Sequence, residues 1–208
     1  MSEMIVFGKV KTSKTEIRDI AKSWIIISLA FTFIFSGLKL IGGNFSLAQL
    51  FSSNFFFLFL ISLGTAGLGF LLHELAHKFV AQRYGCLAEY RAFDQMLYLA
   101  LGLAVVIGFL FAAPGAVMIS GMITRRENGI ISLAGPLTNY VLALLFFLAT
   151  LLFPNLGAIM GIGFQINAWL GLFNMIPFWN LDGLKIFHWN TIIWGIMVAI
   201  GVSAFFIL

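Results

Sequence analysis

Phe55-Phe56-Phe57-Leu58-Phe59-Leu60-Ile61-Ser62-Leu63-Gly64-Thr65-Ala66-Gly67-Leu68-Gly69-Phe70-Leu71-Leu72-His73-Glu74-Leu75-Ala76-His77 is an apolar run that ends in two histidines and a glutamate. Its apolar part, Phe55 to Leu72, would make about 27 Å of helix, enough to enter a bilayer. In such a helix His73 and His77 lie one turn apart on one face, so both rings can point at a single metal ion. Glu74 projects in a neighbouring direction. It cannot easily join the same ligand set, yet it can reach a water on that metal, which is where a general base is needed. The five-residue pattern alone is a weak signal. Its setting strengthens it, because ionisable groups inside an apolar span are costly to bury and are kept where they are used. In the competing reading the two rings merely hydrogen-bond to neighbouring helices.

Composition points the same way. Of 208 residues, 61% are hydrophobic and 10% charged, against about a quarter charged in soluble domains. With a mean hydropathy of +1.04 the chain reads as an integral membrane protein of one domain. The net charge of +4 would suggest nucleic acid in a soluble protein; here it reflects Lys and Arg retained on the cytoplasmic face. The single cysteine, Cys86, excludes an internal disulfide and a thiolate cluster.

Met1 to Lys22 is basic and lacks the early apolar core of a secretory signal, so it is expected inside. Trp24 to about Leu40 reads as a first span, and Ile41 to Asn54 as an uncharged exterior turn. The second span runs from Phe55 to about Tyr84, where Gly85 supplies a left-handed stop. Ala66, Gly69, His73, Ala76 and His77 lie along or near one stripe, which makes the metal face the close-packed face.

If the segments around Lys78 to Arg91, Arg125 and Lys185 all lie inside with the N-terminus, eleven of the twelve Lys and Arg residues share one side, leaving Lys39. That requires an even number of crossings between Tyr84 and Arg125. Met96 to Ala113 is apolar enough for one span, and two do not fit in so few residues. A re-entrant or in-plane helix bent near Gly102, Gly108 or Pro114 is therefore expected, with an ordinary extra span as the alternative. After it, Ala116 to Ile119 and Gly129 to Ser132 read as a hairpin around the polar turn Thr124 to Gly129. Its free edge could pair with an extended substrate, or the hairpin could be a plain connection.

Ile130 to Phe153 is the next span, with Gly135-Pro136 in its first turns. Gly157 to Ile176 returns inward, carrying Asn167 and Asn174, and Thr191 to Leu208 goes out again. A catalytic zinc site usually has three protein ligands. Glu89, Asp94, Glu127, Asp182 and His188 are candidates for the third. Asp182 lies at the inner end of a span, level with His73 and His77, in a largely apolar stretch. His188, between two aromatic residues, suits the interfacial belt.

The sequence resembles the site-2 protease family of intramembrane zinc metalloproteases. The resemblance rests on His73-Glu74-Leu75-Ala76-His77, on Asn174, Pro177 and Leu181-Asp182-Gly183, on Ala134-Gly135-Pro136-Leu137-Thr138-Asn139, and on Pro114-Gly115-Ala116-Val117, in that family's order. It implies one zinc ion on His73, His77 and Asp182, with Glu74 as general base. It places Asn174, and less directly Asn139, at the substrate. The Met96 to Ala113 insertion departs from the family's minimal pattern.

The expected fold is thus an all-α polytopic membrane protein of five to six transmembrane helices. It carries a re-entrant or extra helix at about 96–113 and a small β-hairpin at about 115–132. The expected organisation is a single domain over 1–208, with a cytoplasmic tail over 1–22 and a catalytic core over 55–183, in a prokaryotic plasma membrane with the site near the cytoplasmic face. The expected partners are the lipid bilayer and a transmembrane protein substrate, with prior cleavage of that substrate by another protease as an option; nucleic acid is not among them. The competing functions are a membrane metal-binding or transport protein and a proteolytically inactive relative.

Overall fold

A computed structural model describes residues 4–7, 10–110 and 114–206. Four helices are long and apolar enough to cross a membrane: Lys14–Ser36, Ser53–Arg83, Arg125–Leu152 and Pro154–Asn174. Two shorter apolar helices, Asp94–Ile107 and Thr191–Ala204, lie among the described residues as well, so four long helices stand where five to six spans were expected.

The stretch 1–22, expected as a tail, is folded over most of its described residues. Strands β1 (Met4–Phe7) and β2 (Val10–Ser13) pair antiparallel. Helix α1 (Lys14–Ser36) starts directly after them, because the Ser13 hydroxyl accepts from the Glu16 N–H. The helix stops at Gly37, whose φ of +68 suits a left-handed cap.

After the turn α2 (Leu47–Leu50), the metal-bearing span runs as α3 (Ser53–Ser62), a π-helical turn (Leu63–Gly67) and α4 (Leu68–Arg83). In the wide turn the Leu63 carbonyl accepts from the Leu68 N–H and also from the Trp24 indole N–H, 3.1 Å away, which ties the span to α1. Gly85 ends it at φ +81, as the sequence indicates.

Next come β3 (Leu87–Ala92), α5 (Asp94–Ile107) and β4 (Gly115–Ser120). The expected hairpin over 115–132 is corrected here. β4 pairs with β3, from Leu87↔Ser120 to Ala92↔Gly115. Residues 129–132 instead belong to α6 (Arg125–Leu152), because Thr124 and Glu127 form a capping box that starts a helix where a polar turn was expected.

The two ends of the α5 insertion lie together, as a re-entrant element requires. The Phe93 N–H donates to the Pro114 carbonyl at 2.9 Å, so the insertion leaves and rejoins the fold at one place. Its 14-residue helix rises about 21 Å, less than a bilayer core. It runs beside α1, from the Lys22–Asp94 ion pair to the Leu40 and Ile41 N–H groups, which donate to the carbonyls of Val105 and Val106. The last part of the expected element, 111–113, lies outside the described residues.

Pro136 sits in the interior of α6, not in its first turns. It removes the N–H that would bond to the Ser132 carbonyl. α7 (Gly157–Asn174) then returns towards the histidines, and α8 (Asp182–Trp189) and α9 (Thr191–Ala204) follow. The core against α1 is built from Ile27, Ala30 and Phe31 with Leu97, Ala100 and Ala104 of α5.

Candidate metal centre

Two helices bring their functional side chains together. His73 and His77 lie one turn apart in α4, and Asp182 is the first residue of α8, a short segment beyond the end of α7. A carboxylate at a helix N-terminus is electrostatically favoured, which helps hold Asp182 ionised. All three are buried, at 5, 8 and 7% exposure. Asp182 Oδ2 lies 3.3 Å from His73 Nε2 and 3.0 Å from His77 Nε2. One donor atom from each residue lies within 4.8 Å of the others.

The partners of the other ring nitrogens decide what this cluster can hold. His73 Nδ1 donates to Asn139 Oδ1 at 2.5 Å, and His77 Nδ1 donates to the Ile131 carbonyl at 2.7 Å. Both partners are oxygen acceptors, so each neutral ring keeps its proton on Nδ1 and presents a lone pair at Nε2. Two such lone pairs converge on a carboxylate, an arrangement that a cation between them makes favourable. Two imidazole nitrogens and one carboxylate oxygen form a donor set that suits zinc and leaves a coordination position open.

Gly135 lets α6 approach this point, since a Cβ there would stand on the Nε2 atoms of both histidines. Asn139 reaches the site from behind. It is fully buried, and its Nδ2 donates to the Gly69 carbonyl at 3.2 Å and to Asn167 Oδ1 at 3.1 Å. Its amide thus holds the His73 ring, and the residue also lines the metal cavity, where the family resemblance implies a substrate contact. Asn167 in turn donates to the Gly163 carbonyl at 2.9 Å. Sequence reasoning had no role for Asn167; the available signal was an uncharged amide inside an apolar span, which has to find a partner.

Glu74 is half-buried and lines the same cavity of about 360 Å³ as the two histidines and Asp182. Asn174 also lines it, from the last turn of α7, with its Nδ2 donating to the Leu170 carbonyl at 3.0 Å. Lys185 stands at the mouth, 3.9 Å from Asp182 Oδ1. The other candidates for third ligand lie elsewhere. Asp94 pairs with Lys22, Glu89 with Arg91, and Glu127 caps α6. The His188 carbonyl accepts from Arg125.

One wall of the cavity is Gly115 to Ile119 of β4. β3, its partner, has its own outer edge satisfied: the Tyr90 N–H donates to Glu16 Oε1 at 2.8 Å and the Ala92 N–H to Asp19 Oδ2 at 3.3 Å. Burial pushes the Tyr90 phenol up, and its hydroxyl donates to Ser23 Oγ at 2.9 Å. Among the described residues, then, the outer edge of β4 has no strand partner and faces the metal cavity.

A polytopic helical membrane protein with a buried His-Glu-x-x-His and a distant aspartate on one cavity belongs to the class of membrane-embedded metalloproteases. The comparisons agree. A protein of Methanocaldococcus jannaschii assigned as a zinc metalloprotease is 41% identical over 189 residues, covering 89% of this chain and 90% of the relative. Rip2 of Mycobacterium tuberculosis, also assigned as a zinc metalloprotease, is 33% identical over 129 residues, covering 54% of this chain and 50% of its own. No protein-family model matches the chain, and no solved structure does. The chain belongs to the site-2 protease family of zinc metalloproteases.

Proposed function

We propose that the chain is an intramembrane zinc endopeptidase that hydrolyses a peptide bond of a transmembrane protein, with Glu74 as general base. The observation that carries this reading is the meeting of His73, Glu74, His77 and Asp182 on one cavity also lined by β4, whose outer edge has no strand partner among the described residues. Zinc on His73, His77 and Asp182 supplies Lewis acidity, making a water acidic and polarising a carbonyl. A Glu74 carboxylate oxygen takes up the proton of the attacking water and returns it to the leaving amine nitrogen.

Substrate lies extended along β4, so the backbone of Ala116 to Met118 holds it without regard to side-chain sequence. Asn174, facing the same cavity, supplies a further polar contact to the substrate backbone. A helical substrate buries its own carbonyls in intrahelical bonds and must unwind first, which Gly or Pro in its span eases.

The tendency of Lys and Arg to stay at the cytoplasm supports one orientation: Lys185 stands beside Asp182, Arg91 lies on the strand paired with β4, and Arg125 bonds to the end of α8, so the metal end is read as the cytoplasmic one. The relatives' prokaryotic sources support a plasma membrane.

The test is Glu74→Gln. It should keep its zinc while cleavage of a transmembrane reporter falls by roughly 10²- to 10⁴-fold. Proteolysis surviving at near wild-type rate would rule Glu74 out as the base.

A further inference from the structure

Gln165 is out of place. It lies near the middle of the span Pro154–Asn174, yet its side chain is exposed, on a surface that the bilayer would cover. Asn167 and Asn174 on the same helix have hydrogen-bond partners; the Gln165 amide has none among the described residues. An unsatisfied amide in hydrocarbon costs several kcal/mol, so a polar group held there normally meets another protein group.

What surrounds it gives the partner's shape. Gln165 lies in a groove of about 460 Å³ whose other walls are Ile162, Ile166 and Trp169 of α7, Phe35 of α1 and Phe205 just past α9. The stripe 162, 165, 169 and 172 follows helical spacing along one face of α7, and Ile176 lies just past its end. A second groove, of about 390 Å³, continues it past Trp169, Leu172 and Ile176 to Trp194 and Val198. Trp169 and Phe173 stack with ring centres 5.0 Å apart, and both also line the metal cavity. Trp169 is thus the wall common to both grooves and the catalytic cavity, and Phe173, stacked on it, is shared by the cavity and the second groove.

We propose that this grooved face of α7 docks the transmembrane helix of a substrate, and that Gln165 selects helices carrying a hydrogen-bonding side chain (Ser, Thr, Asn or Gln) at mid-span depth. The proposal rests on the proteolytic reading. A lipid tail offers the amide no partner at that depth. A second copy of the chain would satisfy the amide but has no reason to lie on a surface continuous with the catalytic cavity, whereas a substrate has to travel from lipid to that cavity. Docked on the stripe, a helix needs only to move past the stacked rings to reach the free edge of β4.

The test uses the full chain carrying Glu74→Gln, to prevent turnover, in phosphatidylcholine vesicles. A photo-reactive residue replaces Ile162 in the groove or Leu148 on the lipid-facing side of α6. The probes are two synthetic Leu/Ala transmembrane helices that differ only in a central Asn or Leu. The Asn helix should cross-link at position 162 roughly five- to tenfold more than the Leu helix, as an interhelical hydrogen bond allows. Position 148 should show no preference, and Gln165→Leu should erase the preference at 162. Equal yields for the two probes at 162, a preference that survives Gln165→Leu, or cross-links joining two copies of the chain in place of the probe would overturn the proposal. If Gln165→Leu erases the preference while the wild-type chain leaves the Asn helix uncut, docking stands and the peptidase reading is what fails.

Discussion

At the scale of single residues, the pair His73 and Asn139 shows how a metal ligand is prepared. An imidazole is a useful ligand only if its proton is kept on the nitrogen facing away, and the Asn139 oxygen 2.5 Å from His73 Nδ1 keeps it there. Asn139 is itself fixed from the far side by Gly69 and Asn167. Asn139→Ala should therefore weaken zinc binding by roughly 10- to 100-fold, read by competition with a chelator, without removing the metal ligands. Unchanged affinity would reduce Asn139 to packing. The sequence made it clear that an amide in a span faces the protein. It did not identify the partner, because His73 lies 66 positions away and only the packing of α4 on α6 brings them together. The His-Glu-x-x-His pair and Asp182 were legible for the opposite reason: the first is local, and the second follows from the direction of one span.

At the scale of elements, the connections were harder to read than the spans. The apolar runs that became α3–α4, α6 and α7 announced themselves by length. Gly129 to Ser132 looks β-prone in isolation, but the reciprocal bonds of Thr124 and Glu127 start a helix ahead of it. The true partner of β4 is β3, which lies before the α5 insertion, a pairing that no short-range turn signal marks. What holds β3 in place is also long-range. Glu16, fully buried in α1, accepts from the Tyr90 N–H, from Thr12 Oγ1 and from Lys78 Nζ at 2.6 Å, next to a metal ligand in α4. Counted from sequence, Lys78 was one more interfacial cation; in the fold it is 2% exposed. Removing one partner of a buried pair strands the other, so Lys78→Ala should cost about 3–5 kcal/mol, a drop in Tm of roughly 10 °C in detergent. The double variant Glu16→Gln with Lys78→Met keeps an oxygen for Tyr90 and leaves no buried charge, so it should recover most of that loss. A Lys78→Ala chain as stable as wild type would mean that the pair does not clamp α1 to α4.

At the scale of the whole molecule, the proposed orientation puts the metal end at the cytoplasm and the turns near Asn44 and Asn155 outside. With Cys86 replaced by Ala, a cysteine introduced at Asn44 or Asn155 should react with an impermeant maleimide from outside intact cells. One at Arg126 should react only after the membrane is opened. Labelling of Arg126→Cys from outside would invert the topology and place the site at the outer face.

The chemistry proposed for this cavity requires one cation shared by α4 and α8. The most direct measurement is the zinc content of purified chain by elemental analysis, for the wild type and for Asp182→Ala. One zinc per wild-type chain, falling to well under half in Asp182→Ala although His73 and His77 remain, is the predicted result. A wild-type chain without stoichiometric zinc, or an Asp182→Ala chain that holds it as tightly as wild type, would contradict it.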